Sequence, residues 1–174
     1  MQHDERIVIE CERLALRKLD LPDAPFILEL LNEESFVRFI GDREVRTLGD
    51  ACEYIAKGPL HSYRCFGFGL YLMSLREEAV PLGICGLVKR ASLEDVELGF
   101  ALLARYRSRG YAAEAAGAVL AYGRRVFGLR RIVAVTSPAN QPAIAVLEKI
   151  GLKFERMIRI AEHGEDLKLF APAR

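Results

Sequence analysis

The stretch Glu97-Leu-Gly-Phe-Ala-Leu-Leu-Ala-Arg-Tyr-Arg107-Ser-Arg-Gly110-Tyr-Ala112 decides the fold. Its first part, Val96 to Leu103, is an apolar run of strand length, and its end opens a long helix from Arg109-Gly110 to about Phe127. Ala112, Ala116, Val119, Leu120 and Phe127 form one face of that helix. Six of the ten residues from Ala112 to Ala121 are alanine, so this surface can lie very close to a sheet. Between strand and helix sits R-x-x-G-x-A, Arg107 to Ala112. Gly110 lets the backbone turn, and Ala112 keeps the first helical turn small. Free N–H groups and the helix dipole there make a site for a phosphate or pyrophosphate. The pattern is neither G-x-x-x-x-G-K-[ST] nor G-x-G-x-x-G.

Working outward, Phe66 to Leu75 and Pro81 to Lys89 precede Val96 to Leu103 as strands of an antiparallel meander, with polar turns at Arg76 to Ala79 and Arg90 to Asp95. After the long helix come a β-branched strand, Ile132 to Thr136, and a helix, Ala139 to Ile150, ended by Gly151. A terminal hairpin, Leu152 to Ile160 with Leu167 to Ala171, turns at His163-Gly164. At the other end, Ile7 to Leu19 reads as one strand with an irregularity. Pro22-Asp23 opens a helix carrying Phe26, Ile27, Leu30 and Leu31, and a short helix follows through Phe39. Thr47 and Asp50 form a capping arrangement for a helix holding Ala51, Tyr54 and Ile55, which Gly58-Pro59 stops. The expectation is a single α/β domain over residues 1–174, with a mixed, mostly antiparallel sheet of about seven strands flanked by helices.

Of the 174 residues, 51% are hydrophobic and 28% charged, enough for one full core. Lys and Arg number 25 against 24 Asp and Glu, so no whole-molecule field draws the chain to nucleic acid or membrane. The charge is uneven: residues 1–96 hold 12 basic and 17 acidic side chains, whereas residues 97–174 hold 13 and 7. The second half is thus suited to an anionic ligand. Cys11, Cys52, Cys65 and Cys85 lie far apart without metal-ligand spacing, and read as mostly buried thiols of a reducing compartment. His3, His61 and His163 are separated singles, so no metal site is expected. The charged Met1 to Glu10 segment and the lack of any apolar stretch of about 20 residues point to a cytoplasmic protein.

The whole chain resembles the GNAT superfamily of N-acetyltransferases, particularly the branch of ribosomal-protein N-terminal acetyltransferases. The resemblance rests on the element order, Glu12-Arg-Leu-Ala-Leu-Arg17, the Glu97-Leu-Gly-Phe strand, the R-x-x-G-x-A loop, and N-x-x-A-x-x-V-L-E-K-x-G-L over Asn140 to Leu152. It implies acetyl-CoA as cosubstrate, lying where the strands on either side of the long helix splay apart. The cofactor site would comprise Arg107, Ser108, Arg109, Gly110, Tyr111 and Ala112, with the pyrophosphate on the N–H groups of Arg109 to Ala112. The pantetheine arm would pair with the backbone of Leu102 and Leu103, as an added strand would. Asn140 reads first as a helix N-cap. The resemblance sets it beside the pantetheine or thiol end as well.

For catalysis the resemblance implies Glu97 as general base; a structural or substrate-orienting carboxylate is the alternative reading of the same residue. The usual source of a proton for the thiolate is missing. Leu147 stands where many family members carry tyrosine, and Ala143 where the ribosomal-protein branch often has serine. Ser108, Tyr106, Tyr111 or solvent are the substitutes, and a thiol of pKa near 8.5 also leaves tolerably without an acid. The expected reaction is direct acetyl transfer to a primary amine of a protein N-terminus, a polyamine or an aminoglycoside-like molecule. The acceptor would enter between residues 23–58 and 152–171, where Glu162, Glu165 and Asp166 either attract a cation or simply solvate the turn. The alternative is a non-catalytic acyl-CoA-binding sensor or interaction module. A monomer or homodimer is expected, without membrane or nucleic-acid partners.

Overall fold

A computed structural model describes residues 6–160 and 164–173. The irregularity in the first strand is a turn: Ile7–Glu10 (β1) and Leu14–Lys18 (β2) are separate antiparallel strands, closed by the Cys11 N–H on the Leu14 carbonyl at 2.8 Å. The strand count is therefore eight where the sequence suggested about seven.

Helices Ala24–Leu31 (α1), Glu34–Phe39 (α2) and Leu48–Ile55 (α3) follow. The cap of α3 is reciprocal: Thr47 Oγ1 accepts from the Asp50 N–H at 3.1 Å, and the Asp50 carboxylate accepts from the Thr47 N–H at 2.9 Å. Gly58-Pro59 does not stop this helix. The chain continues through a π-helical turn, Ala56–Leu60, into His61–Phe66 (α4), because the widened turn accommodates a residue with no N–H to donate. Phe66 is thus helical, and the next strand begins four residues later, at Leu70.

Leu70–Leu75 (β3), Pro81–Val88 (β4) and Val96–Leu102 (β5) form the expected meander. Then come Tyr111–Phe127 (α5), Ile132–Thr136 (β6), Gln141–Lys149 (α6), Leu152–Arg159 (β7) and Asp166–Pro172 (β8). The sheet order is β1-β2-β3-β4-β5-β6-β8-β7, with β5 and β6 its parallel neighbours. Of the predicted hairpin turn, His163 lies outside the described residues. Among the described residues no helix is long and apolar enough to cross a membrane.

Strand periodicity divides the core between the two faces of the sheet. Met73, Cys85, Leu87 and Leu98 pack with Ala115, Ala116 and Val119 of α5, whereas Leu72 and Ile84 pack with Ile27, Leu30 and Ile55 of the N-terminal helices. Of the four cysteines only Cys85 is fully buried; Cys11 and Cys52 are half-buried and Cys65 is exposed.

Candidate active site

β5 and β6 pair only at Val96 with Ile132 and Glu97 with Val133. From Ala134 onward β6 bonds to β8 instead, while β5 stays bonded to β4 as far as Leu102. One edge of β5 is consequently left open beyond Glu97. The vertex is pinned by Arg131, just before β6, whose guanidinium reaches Asp95, just before β5, at 2.9 Å and Glu155 of β7 at 2.7 Å. The diverging strands bound a cavity of about 490 Å³.

Strand alternation decides which backbone groups face it. The Leu103 N–H donates to the Leu82 carbonyl at 2.9 Å, and the Leu103 carbonyl accepts from the Tyr106 N–H at 3.0 Å. Leu103 is fully buried, and both its N–H and its carbonyl are bonded within the protein. Because successive residues alternate in direction, Phe100 and Leu102 turn their main-chain groups to the open edge, where the Leu102 carbonyl is already bonded by Arg107 and its N–H is left. Phe100 is therefore the partner of Leu102.

At the far end of β5, Gly110 precedes α5 with φ of 81°, and no side chain caps this helix. The Glu114 N–H bonds the Gly110 carbonyl at 3.1 Å, leaving the earlier N–H groups of the first turn pointing outward. Ser108, Gly110, Tyr111 and Ala112 line the cavity here. Arg107 also lines the cavity, and its guanidinium bonds the Leu102 carbonyl at 2.9 Å and Ser35 Oγ, bracing β5 against the start of α2. The Arg109 side chain is exposed, and its carbonyl is held by Arg13 Nη1 at 2.9 Å. Arg13 also bonds Glu114 at 2.7 Å and lies 4.7 Å from the Tyr111 ring centroid, so it fixes the start of α5. The sequence displays Arg13 in its opening motif, but nothing there links it to a segment about a hundred positions away.

Glu97 stands at the vertex, 5% exposed, with Oε2 accepting from Arg90 Nε at 2.5 Å. Burial pushes its carboxyl above the ordinary range, against the opposing pull of Arg90 and Arg43. Arg43, from the α2–α3 loop, and Tyr54, from α3, line the same end with Phe36 and Phe39 of α2. Burial likewise raises the Tyr54 phenol, again opposed by Arg43 and Arg90. None of these residues carries a sequence signal; their meeting depends on how the N-terminal helices cover the sheet.

On the opposite wall, Asn140 caps α6 by accepting from the Ala143 N–H at 3.3 Å, and Asn140, Ala143 and Leu147 all face the cavity. Tyr106, Ser108 and Tyr111 line it too. The C-terminal hairpin contributes Ile160 and Leu167 to the wall. Of the expected acidic residues, Asp166 is bonded to Arg159 at 2.9 Å, Glu165 is exposed, and Glu162 lies outside the described residues.

Residues 13–153 match the family described as acetyltransferase (GNAT) domain. The chain belongs to the GNAT acetyltransferase family. A relative, the uncharacterized N-acetyltransferase YnaD of Bacillus subtilis, is 29% identical over 147 residues, spanning 84% of this chain and 83% of its own. A crystallographic GNAT acetyltransferase from Bacillus anthracis superimposes with a TM-score of 0.77 at 29% identity, over 94% of this chain and 96% of that one. The fold is also that of RimL, a ribosomal L7/L12 alpha-N-protein acetyltransferase solved in complex with coenzyme A (TM-score 0.80, 19% identity, 95% and 96% covered). The protein is therefore an acetyltransferase, an enzyme of the acyl-transferring class.

Proposed function

We propose that this enzyme moves the acetyl group of acetyl-CoA directly to an amine, in the cleft where β5 leaves β6. The single observation that carries the reading is the open edge of β5 running from Glu97 to the uncapped start of α5. Glu97 and Leu102 are five residues apart, about 17 Å along a strand. That length suits an extended arm whose amides pair with the main chain of Phe100 and the N–H of Leu102, its pyrophosphate on the first turn of α5 and its thioester at the vertex. Arg13 holds that turn in place, and Asn140 faces the arm from α6.

Chemistry follows from the vertex. An ammonium acceptor must lose a proton before it attacks, and Glu97, with its raised affinity for protons, receives it directly or through a water. The amine nitrogen then bonds to the thioester carbonyl carbon, the carbon–sulfur bond breaks, and the departing thiolate takes a proton from the new ammonium or from solvent. Among the described residues lining the cavity there is no cysteine, which supports transfer in a ternary complex over an acetylated thiol on the enzyme. The free state of all four cysteines supports a reducing, cytoplasmic setting.

The test is thiol release from acetyl-CoA across an amine library, paired with calorimetry of CoA. Saturable turnover that requires both substrates, with CoA binding weakened by changes at Gly110, is the expected result. Acetyl-CoA that neither binds nor turns over would defeat the reading.

A further inference from the structure

The acceptor end of the cavity has a charge pattern that narrows the substrate. Two guanidinium groups, Arg43 and Arg90, face one carboxylate, Glu97, and Glu97 uses only Nε of Arg90. Among the described residues Arg43 forms no ion pair. The carboxylates around it are occupied elsewhere: Asp42 by Arg46 at 2.5 Å, Asp50 by the Arg46 and Thr47 N–H groups, both at 2.9 Å, and Glu53 by Lys57. Glu44 is exposed on the outer rim. The phenol of Tyr54 stays uncharged. The pocket therefore carries a surplus positive charge directly beside the group that must receive a proton from an ammonium.

A polyamine or aminoglycoside would set a second ammonium against Arg43 and Arg90, and like charges in a partly dry pocket repel. An acceptor with its own anion completes the set. Phe36, Phe39 and Ile40 line the cavity from the N-terminal helices, and Ile160 and Leu167 add apolar lining from the C-terminal hairpin, so the body of the molecule is apolar. Building on the acetyl-transfer reading, we propose that the acceptor is a free amino acid with an aromatic or branched side chain. Its amine faces Glu97, its carboxylate is received by Arg43 and the remaining nitrogens of Arg90, and its side chain rests on Phe36, Phe39 and Ile40.

The test uses matched acetylated products, so that it does not depend on turnover. CoA is titrated first by calorimetry; N-acetylphenylalanine, N-(2-phenylethyl)acetamide and N-acetylphenylalanine amide are then titrated into the CoA complex. The carboxylate-bearing product is expected to bind about tenfold or more tighter than either neutral analogue, as charge-assisted hydrogen bonds to arginine imply. Arg43→Gln, at an exposed position without an ion pair, should leave the melting temperature and CoA affinity unchanged and erase most of that preference. Failure of CoA itself to bind would overturn the acetyl-transfer reading. Bound CoA with equal or weaker affinity for the carboxylate, no binding of any analogue, or a preference that survives Arg43→Gln would overturn the amino-acid assignment alone. Tighter binding of an N-acetylated tripeptide than of N-acetylphenylalanine would also overturn it, in favour of a protein N-terminus.

Discussion

Arg90 Nε donates to Glu97 Oε2 at 2.5 Å across the turn joining β4 to β5, with the carboxylate buried and the guanidinium about one-quarter exposed. Two opposed effects meet in this pair: burial raises the carboxyl pKa of Glu97, and Arg90, helped by Arg43, pulls it back down. The net shift is upward, so Glu97 is still protonated at a pH where an ordinary glutamic acid, with a pKa of about 4.3, has ionised.

The sign gives a pH prediction. A base must be deprotonated to act, so kcat/KM should rise with pH along an acidic limb whose midpoint lies above that of a free glutamate. Arg90→Gln removes a group that lowers the pKa and should move the limb to still higher pH. Glu97→Gln should abolish the limb and lower turnover by about 10² to 10⁴ with CoA affinity kept. A Glu97→Gln enzyme that keeps the limb and its rate would make Glu97 structural.

Gly110→Asp should remove CoA binding. At φ of 81° a side chain is strained, its Cβ would approach Arg13 at 3.3 Å, and a carboxylate would stand where anionic oxygens are expected. Calorimetry on the folded variant reads the outcome; unchanged affinity would relocate the pyrophosphate.

Gly83→Ala tests the approach of β4 to β5. A Cβ at Gly83 would lie 2.1 Å from the Ala101 carbonyl oxygen and 2.9 Å from Leu102 Cα, both backbone atoms that cannot rotate away. Overpacking of this kind costs about 1–3 kcal/mol, read from denaturant midpoints. Because Leu102 is the neighbour displaced, CoA affinity should fall as well. A variant with unaltered stability would show that the strand pair yields more easily than its spacing implies.

Ala143→Ser returns a hydroxyl to α6. Ala143 is half-buried and faces the cavity, so the added oxygen has room and the stability change should stay within about 0.5 kcal/mol. Turnover should rise less than about tenfold, since a thiol of pKa near 8.5 leaves without strong assistance. A much larger rise at saturating acetyl-CoA would identify thiolate protonation as the limiting step in the native enzyme.

The sequence by itself determined the elements that depend on neighbours along the chain. The meander β3–β5, the alanine-rich α5, the Thr47–Asp50 cap and the Asn140 cap follow from periodicity and from side chains that bond backbone three positions away. It also brought forward Gly110, because a glycine before a helix stands out locally, and Glu97 through the resemblance of its strand to the GNAT family. Gly58-Pro59 misled because a π turn looks like a stop when only α-helical spacing is considered. Tertiary structure alone decided the rest. Which of Leu102 and Leu103 faces the cleft depends on the register of β5 against β4, and a shift of one residue would exchange them. Arg107 turned out to brace Leu102 and Ser35, and Arg13 to hold the start of α5, through contacts between distant segments. Arg43 and Tyr54 come near Glu97 only because α2 and α3 fold over the sheet face that carries it, whereas Arg90 reaches Glu97 across the β4–β5 turn. Local pattern reports what a residue does to its own turn of chain, whereas a binding site is built from side chains whose proximity is created by packing.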